Sequence, residues 1–368
     1  GGIEAMSKRY PKKRSMGERL FTTVCLLVFG SAIGYVTFNR DKLNMNALLH
    51  KNQQEERQVP DNKEDEATEP VDVTPTEQYI SAYTGLELTK ESYNNIPFMV
   101  IVENSRPARP QSGLSEADIV YETMAEGGIP RFIALFHSNS PKEIGPVRSA
   151  RPYFLTIAKE YDLPFGHCGG SPAALEAIQK EKLMSMNEFA YGGYYWRDNS
   201  RKAPHNLYTS ADKIRRLIEN KNYVKPATAS LKFDKSYWEK SLSPARNITM
   251  KLSAYYNTSY EFKDDLYYKY MDGEISVDRP TNANITAANI VVQITDIKTL
   301  SDGRLEIRLI GQGKGYVISG GKYMEITWLK ADEKSPTILK DAEGNVVSLS
   351  PGNTWWHITD NKLQISFQ

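Results

Sequence analysis

The sequence predicts an α+β fold, a mixed α/β sheet domain followed by a mostly antiparallel, β-rich domain, behind a single transmembrane helix and a disordered tether. Three observations carry this expectation. Short β-branched runs alternate with helical patterns from about residue 86 to 225. Alternating apolar and polar stretches separated by turn pairs fill the remainder, and the first 78 residues have neither texture.

Residues 8–19 carry Lys8, Arg9, Lys12, Lys13, Arg14 and Arg19, and Leu20–Phe38 follows without a charge. A basic flank ahead of an apolar run long enough to cross a hydrocarbon core predicts an uncleaved signal anchor, with the bulk of the chain outside the cell. Ala32 and Gly34 keep a cleaved signal peptide open as the rival. Residues 39–78 are polar and nearly free of aromatic residues, the composition of a tether. Its root-mean-square reach is about 30–40 Å. The expected layout is a cytoplasmic basic tail at 1–19, the anchor at 20–38, the tether at 39–78, an α/β domain at 79–225 and a β-rich domain at 226–368.

The formal net charge of +1 argues against a nucleic-acid binder, which needs a basic excess. The only cysteines are Cys25, inside the apolar run, and Cys168, so the exported part forms no internal disulfide. That usage suits a bacterial envelope protein with a sizeable core better than a small stapled domain. Only Leu20–Val24 precede Cys25 as apolar sequence, too short for a lipoprotein signal.

In the first domain, strands are expected at Phe98–Val102, Asp118–Met124, Arg131–Phe136 and around Phe165–Cys168. Helices are expected at Arg151–Tyr161, after Ser171 with Pro172 in first position, and after Ser210 over ADKIRRLIEN. In the second, runs such as NIVVQITDI and TWWHITD lie between turn pairs including Asp272-Gly273 and Gly320-Gly321. Gly311, Gly313 and Gly315 lead from strand to strand, so they do not form a phosphate loop, which must open a helix.

The charged residues interleaved with the first domain's strands carry the functional reading. Arg106, Arg109, Arg131, Arg148 and Arg151 stand among Glu103, Asp118, Glu122 and Glu126. In HCGGSP, Gly169 and Gly170 allow close backbone approach, and Ser171 opens a helix whose first amides face the strand end. Arg148 and Arg151 would add forked, permanently charged donors, so this edge reads as a site for an anion. Pairing of the same arginines with Glu103, Glu122 and Glu126 is the structural alternative. Cys168 beside His167 invites a thiol nucleophile, but neighbouring side chains on a strand point to opposite faces, so a base would have to come from elsewhere, such as His205, and a buried structural cysteine at a small-residue strand end is the reading preferred.

At these residues the chain resembles the YerB-like lipoprotein family of bacterial envelope proteins, whose biochemical role is not established. The elements are VENSRPARPQSGLSEADIVYE (Val102 to Glu122), EGGIPRF (Glu126 to Phe132), IGPVRSARPYF (Ile144 to Phe154), HCGGSP, PHNLYTS (Pro204 to Ser210), DGEISVDRP (Asp272 to Pro280) and SPGNTWWHI (Ser350 to Ile358). The N-terminus departs from the pattern, reading as an anchor, so lipidation is not carried over. A weaker similarity links Asp118, Arg148 and Gly169-Gly170 to the core of LytR-CpsA-Psr phosphotransferases, which act on polyprenyl-pyrophosphate-linked polymers. Ser149 stands where that core has an acidic residue, and Glu116 where it has an arginine.

Together these readings predict a single-pass extracytoplasmic protein of the cell membrane that binds an anionic or glycan-containing envelope ligand, accessory to cell-wall metabolism. The ligand-binding candidates are Arg109, Arg131, Arg148, Arg151, His167, Gly169, Gly170, Ser171, His205 and Asn206, with no cofactor or metal. No complete catalytic set is visible. The phosphotransferase alternative would use Asp118, Glu122 and Arg148 as catalytic candidates, with Mg²⁺ held by Asp118 or Glu122. A third reading is a scaffold recruiting wall-synthesis proteins through the Trp355-Trp356, Tyr255-Tyr256 and Tyr267-Tyr268 pairs.

Overall fold

Strands form where the sequence is continuously apolar and β-branched, because both of their faces are covered. The computed structural model describes residues 77–368. The expected basic tail, the apolar segment Leu20–Phe38 and nearly all of the tether lie outside the described residues. Among those described, no helix is long and apolar enough to cross a membrane.

In the first half, β1 (Phe98–Glu103), β2 (Ile119–Met124), β3 (Pro130–Phe136) and β4 (Phe165–His167) fall where the pattern places them, and β5 (Ser185–Asn187) is added beside β4. Helices α1 (Pro152–Tyr161), α2 (Pro172–Glu181) and α3 (Ala211–Asn220) also follow the sequence signals. Ser171 and Ser210 cap α2 and α3 by accepting from Ala174 N and Lys213 N.

The two halves share one sheet. Its order is Ile338–Lys340, Lys322–Lys330, Gly311–Ser319, Asn289–Ile294, Thr354–Thr359, β2, β3, β1, β4, β5. The change of texture near residue 225 therefore does not interrupt the main-chain ladder. Thr354–Thr359 lies parallel between β2 and Asn289–Ile294, so the β-rich half also departs locally from an antiparallel pattern. The physical reason is the edge of β2, whose apolar residues and unpaired amides would otherwise face water. Gly315 belongs to this ladder: a Cβ there would lie 2.1 Å from Val292 O.

A second sheet runs Glu274–Ile275, Leu266–Met271, Asn257–Lys263, Asn247–Lys251, Gln364–Phe367, with Thr286–Ala287 also on Leu266–Met271. Its longer strands alternate buried and solvent-facing residues, so one face is core. The shared sheet is the middle layer. On one face Val100, Val120, Phe132 and Trp355 pack with α3 and with Ile248, Tyr260 and Tyr267 of the second sheet. On the other, Met99, Ile101, Ile133 and Trp356 pack with Phe154, Leu155 and Ala158 of α1. The Trp355-Trp356 pair is thus divided between two cores, each ring 1% exposed, because adjacent strand residues face opposite ways. Tyr256 and Tyr267 are buried as well, leaving Tyr255 exposed and Tyr268 half-buried.

A polar network crosses the first of these cores. Lys269 Nζ donates to Glu122 Oε2 at 3.0 Å, Thr258 Oγ1 at 2.6 Å and Tyr260 OH at 3.1 Å, and Trp355 Nε1 donates to Glu122 Oε2 at 2.7 Å. Tyr260 OH and His357 Nε2 are 2.8 Å apart. Lys269 and Glu122 are fully buried. Burial opposes the Glu122 charge, but Lys269 and the hydrogen bonds outweigh it and hold the carboxyl below its usual range. A second buried pair, Lys330 Nζ to Glu160 Oε2 at 2.6 Å, fastens α1 to Lys322–Lys330.

Removing one partner leaves a buried charge without compensation. Lys269→Met is expected to cost about 3–5 kcal/mol in urea unfolding, and adding Glu122→Gln to recover a substantial part of it. Burial also lowers His357 to about 3 and His167 to about 4, from 6.5. The unfolded chain takes up these protons first, so stability should be full above about pH 6.5 and fall towards pH 3, at about 1.4 kcal/mol per unit of depression. Unfolding midpoints measured across that range should flatten in His167→Asn, and an unchanged slope would exclude His167 as a contributor.

Candidate functional site

β1, β4 and β5 run parallel, so their carboxyl ends open on one edge of the sheet. Ligands of open α/β sheets settle in such places, where chain leaving the strands exposes backbone and side chains together. Here the chain leaving β1 begins at Glu103, that leaving β4 is Cys168-Gly169-Gly170, and that leaving β5 is the short helix Glu188–Tyr191. The segment around Arg148 runs between the first two: Arg148 N donates to Ile101 O, and Cys168 N donates to Arg148 O.

Glu103 is the centre of the edge. It is 4% exposed and accepts from Ser105 Oγ at 2.8 Å. His205 Nδ1 lies 3.0 Å from both carboxylate oxygens, which orients the ring. Arg148 Nε is 3.3 Å from Glu103 Oε2 without the alignment of a hydrogen bond, and it finds no acceptor among the described residues. Side chains continue around the edge. Cys168 Sγ lies 3.5 Å from Glu188 Oε2, Arg197 Nη2 is 3.9 Å from Glu188 Oε1, and Arg197 Nη1 donates to Asn206 Oδ1 at 3.0 Å.

Behind the edge, Arg151 makes a two-pronged pair with Glu126, Nε to Oε1 at 2.5 Å and Nη2 to Oε2 at 2.9 Å. Arg131 Nη1 donates to Ser149 O. Burial, together with neighbouring Arg151 and Arg148, lowers the Arg131 guanidinium to about 10. Four arginines therefore meet three glutamates here, and Arg148 is the one left without a directional partner.

Other candidates have different employment. His167 is enclosed, with Nδ1 2.7 Å from Gly169 O and Nε2 2.7 Å from Ser185 Oγ, so both nitrogens are engaged within the fold. Ser171 is the α2 cap. Gly169, at φ +63°, donates its amide to Asn187 Oδ1, and Gly170 bridges to Ala150. Asn206 closes its own loop through Asp198 O and Arg201 O. Burial and Glu188 raise the Cys168 pKa, which disfavours the nucleophilic thiolate. Arg109 donates to Asn104 Oδ1 and Asp272 Oδ2, and lines a cavity of about 370 Å³ with Arg106, Gln111 and Asp272.

The phosphotransferase set is not assembled. Asp118 precedes β2 at the opposite end of the sheet, where it accepts from His137 N at 2.6 Å and Ser138 N at 3.0 Å. From the register it stands about five residues from the Glu103 level, roughly 17 Å. Glu122 is committed to Lys269 in the core. Mg²⁺ needs converging oxygen ligands, and these carboxylates do not converge, so the residues do not fit that ion. Glu188, Arg197 and exposed Phe189 belong to the edge without any sequence signal beyond their position after β5.

Family models of a "protein of unknown function (DUF3048)" match this chain, the N-terminal domain at residues 83–224 and the C-terminal domain at 246–356. The chain is 36% identical to "Putative lipoprotein YerB" of Bacillus subtilis (strain 168) over 283 residues, 75% of this chain and 84% of that protein. The crystal structure of YerB from Bacillus subtilis superimposes with a TM-score of 0.71 at 33% identity, covering 78% of this chain and 99% of that one. Sequence, domain order and three-dimensional structure agree, and the chain belongs to the YerB-like family.

Proposed function

We propose that this is a membrane-anchored extracytoplasmic protein of the cell envelope. It binds an anionic or glycan-containing envelope ligand at the carboxyl edge of β1, β4 and β5, in a role accessory to cell-wall metabolism. The name of its Bacillus relative, "Putative lipoprotein YerB", supports the envelope location. The observation that carries the ligand reading is Arg148, a quarter-exposed guanidinium with no hydrogen-bond acceptor among the described residues. A planar fork of donors beside a buried carboxylate and an oriented imidazole is matched to phosphate or carboxylate oxygens. Glu103 then holds Arg148 and His205 in place, leaving His205 Nε2 as a second contact. A purely structural ion pair would have directed the guanidinium at Glu103, as Arg151 is directed at Glu126.

Arg148→Ala should abolish inorganic phosphate and pyrophosphate binding measured by calorimetry on the full chain. Its melting temperature should stay within about one or two degrees of the parent, as for other substitutions outside the packed core. A loss of several degrees would instead assign Arg148 to holding the fold.

A further inference from the structure

The same edge carries an apolar surface that neither the fold nor an anion explains. Phe189, directly after β5, is 75% exposed, the most exposed of the large hydrophobic residues among the described residues, and Leu175 of α2 is 39% exposed. Both rest on the glycine pair that follows β4. A Cβ on Gly169 would lie 2.9 Å from Phe189 Cε2, and one on Gly170 would lie 3.1 Å from Leu175 Cδ2. The two side chains therefore lie over consecutive residues. The backbone beneath them is bonded to the Arg148 segment, with Cys168 N donating to Arg148 O and Ala150 N to Gly169 O.

A guanidinium that lies 3.3 Å from Glu103 but hydrogen-bonds to no acceptor among the described residues, and a two-residue apolar strip on adjoining backbone, make an amphipathic site. Resting on the reading of this edge as an anion site, we propose that its ligand is a single anionic amphiphile, with the charged head at Arg148 and an apolar chain over Phe189 and Leu175. The width of the strip selects one chain over a bilayer face. The neighbouring charges also oppose a general attraction to anionic surfaces, because Glu103, Glu126 and Glu188 offset most of the arginines. Leaving Phe189 in water has no packing return, whereas covering it with hydrocarbon is favourable in proportion to the area removed from solvent.

Hexyl phosphate, soluble and monomeric, is the probe, with inorganic phosphate as its chainless control. Both are titrated against the full-length chain in phosphatidylcholine nanodiscs, in the parent and in Arg148→Gln and Phe189→Ser. The parent should bind hexyl phosphate at least about tenfold more tightly than phosphate, a gain two buried methylenes supply. Phe189→Ser should erase that gain and leave phosphate binding unchanged, and Arg148→Gln should lose both. Equal binding of the two probes by the parent would overturn the amphiphile and preserve the anion site. A preference for hexyl phosphate that survives Phe189→Ser would place the chain elsewhere and overturn it too. Binding of neither probe would overturn both readings.

Discussion

The buried ammonium of Lys269 is the interaction on which the arrangement of this molecule depends. It comes from the second sheet and meets Glu122 of β2 in the shared sheet, while Trp355 and His357 reach the same place from Thr354–Thr359. Apolar packing alone would bring these layers together without choosing their register, since hydrophobic attraction is non-directional. A lysine enclosed between Trp355 and Tyr260 has only one position where its charge and donors are answered. Any slip between the sheets would strand a charge in the core, so the network specifies the alignment even where it adds little net stability.

That alignment determines the functional edge. Thr354–Thr359 completes the sheet beside β2, β3 then lies between β2 and β1, and the parallel set β1, β4, β5 is carried at the other end of the order. Glu103 stands opposite Arg131 in the ladder, which brings the chain leaving β1 next to the arginines behind it. The edge is thus a product of the whole sheet, including strands far away in the sequence. Its chemistry is asymmetric. The charges are answered in pairs, Arg151 with Glu126, Arg197 with Glu188 and Arg148 with Glu103, but the Arg148 guanidinium hydrogen-bonds to no acceptor among the described residues.

A near-neutral overall charge of +1 is compatible with such a site because recognition here is local. Glutamates restrain the arginines, keep the surface from being generally basic, and leave the geometry of individual donors to select a ligand. The glycine turn after β4 serves the same edge by leaving the space beside Gly169 that the Phe189 ring occupies. Polar and apolar features meet there because three parallel strands open in the same direction, β4 and β5 ending level and β1 two residues beyond them.

The alternation of β-branched residues, the serine caps and the turn pairs determined the elements by themselves, since local sterics and orphan amides act over a few residues. β1 to β4 and α1 to α3 were legible on that ground, as was the concentration of arginine and histidine near the strand ends. Tertiary structure decided what each charge does. Glu122 and Asp118 look alike in sequence, yet one answers a lysine 147 residues away and the other ties down the turn at His137 and Ser138. His167 and His205 both follow the pattern of a site, but enclosure commits the first to Gly169 and Ser185 while Glu103 holds the second at the surface. The sharing of one sheet by two textures, and the exposure of Phe189, also had no local signal. Pairing partners and burial depend on residues distant in the chain, and a hydrogen bond or a desolvation penalty exists only once those residues have been brought together.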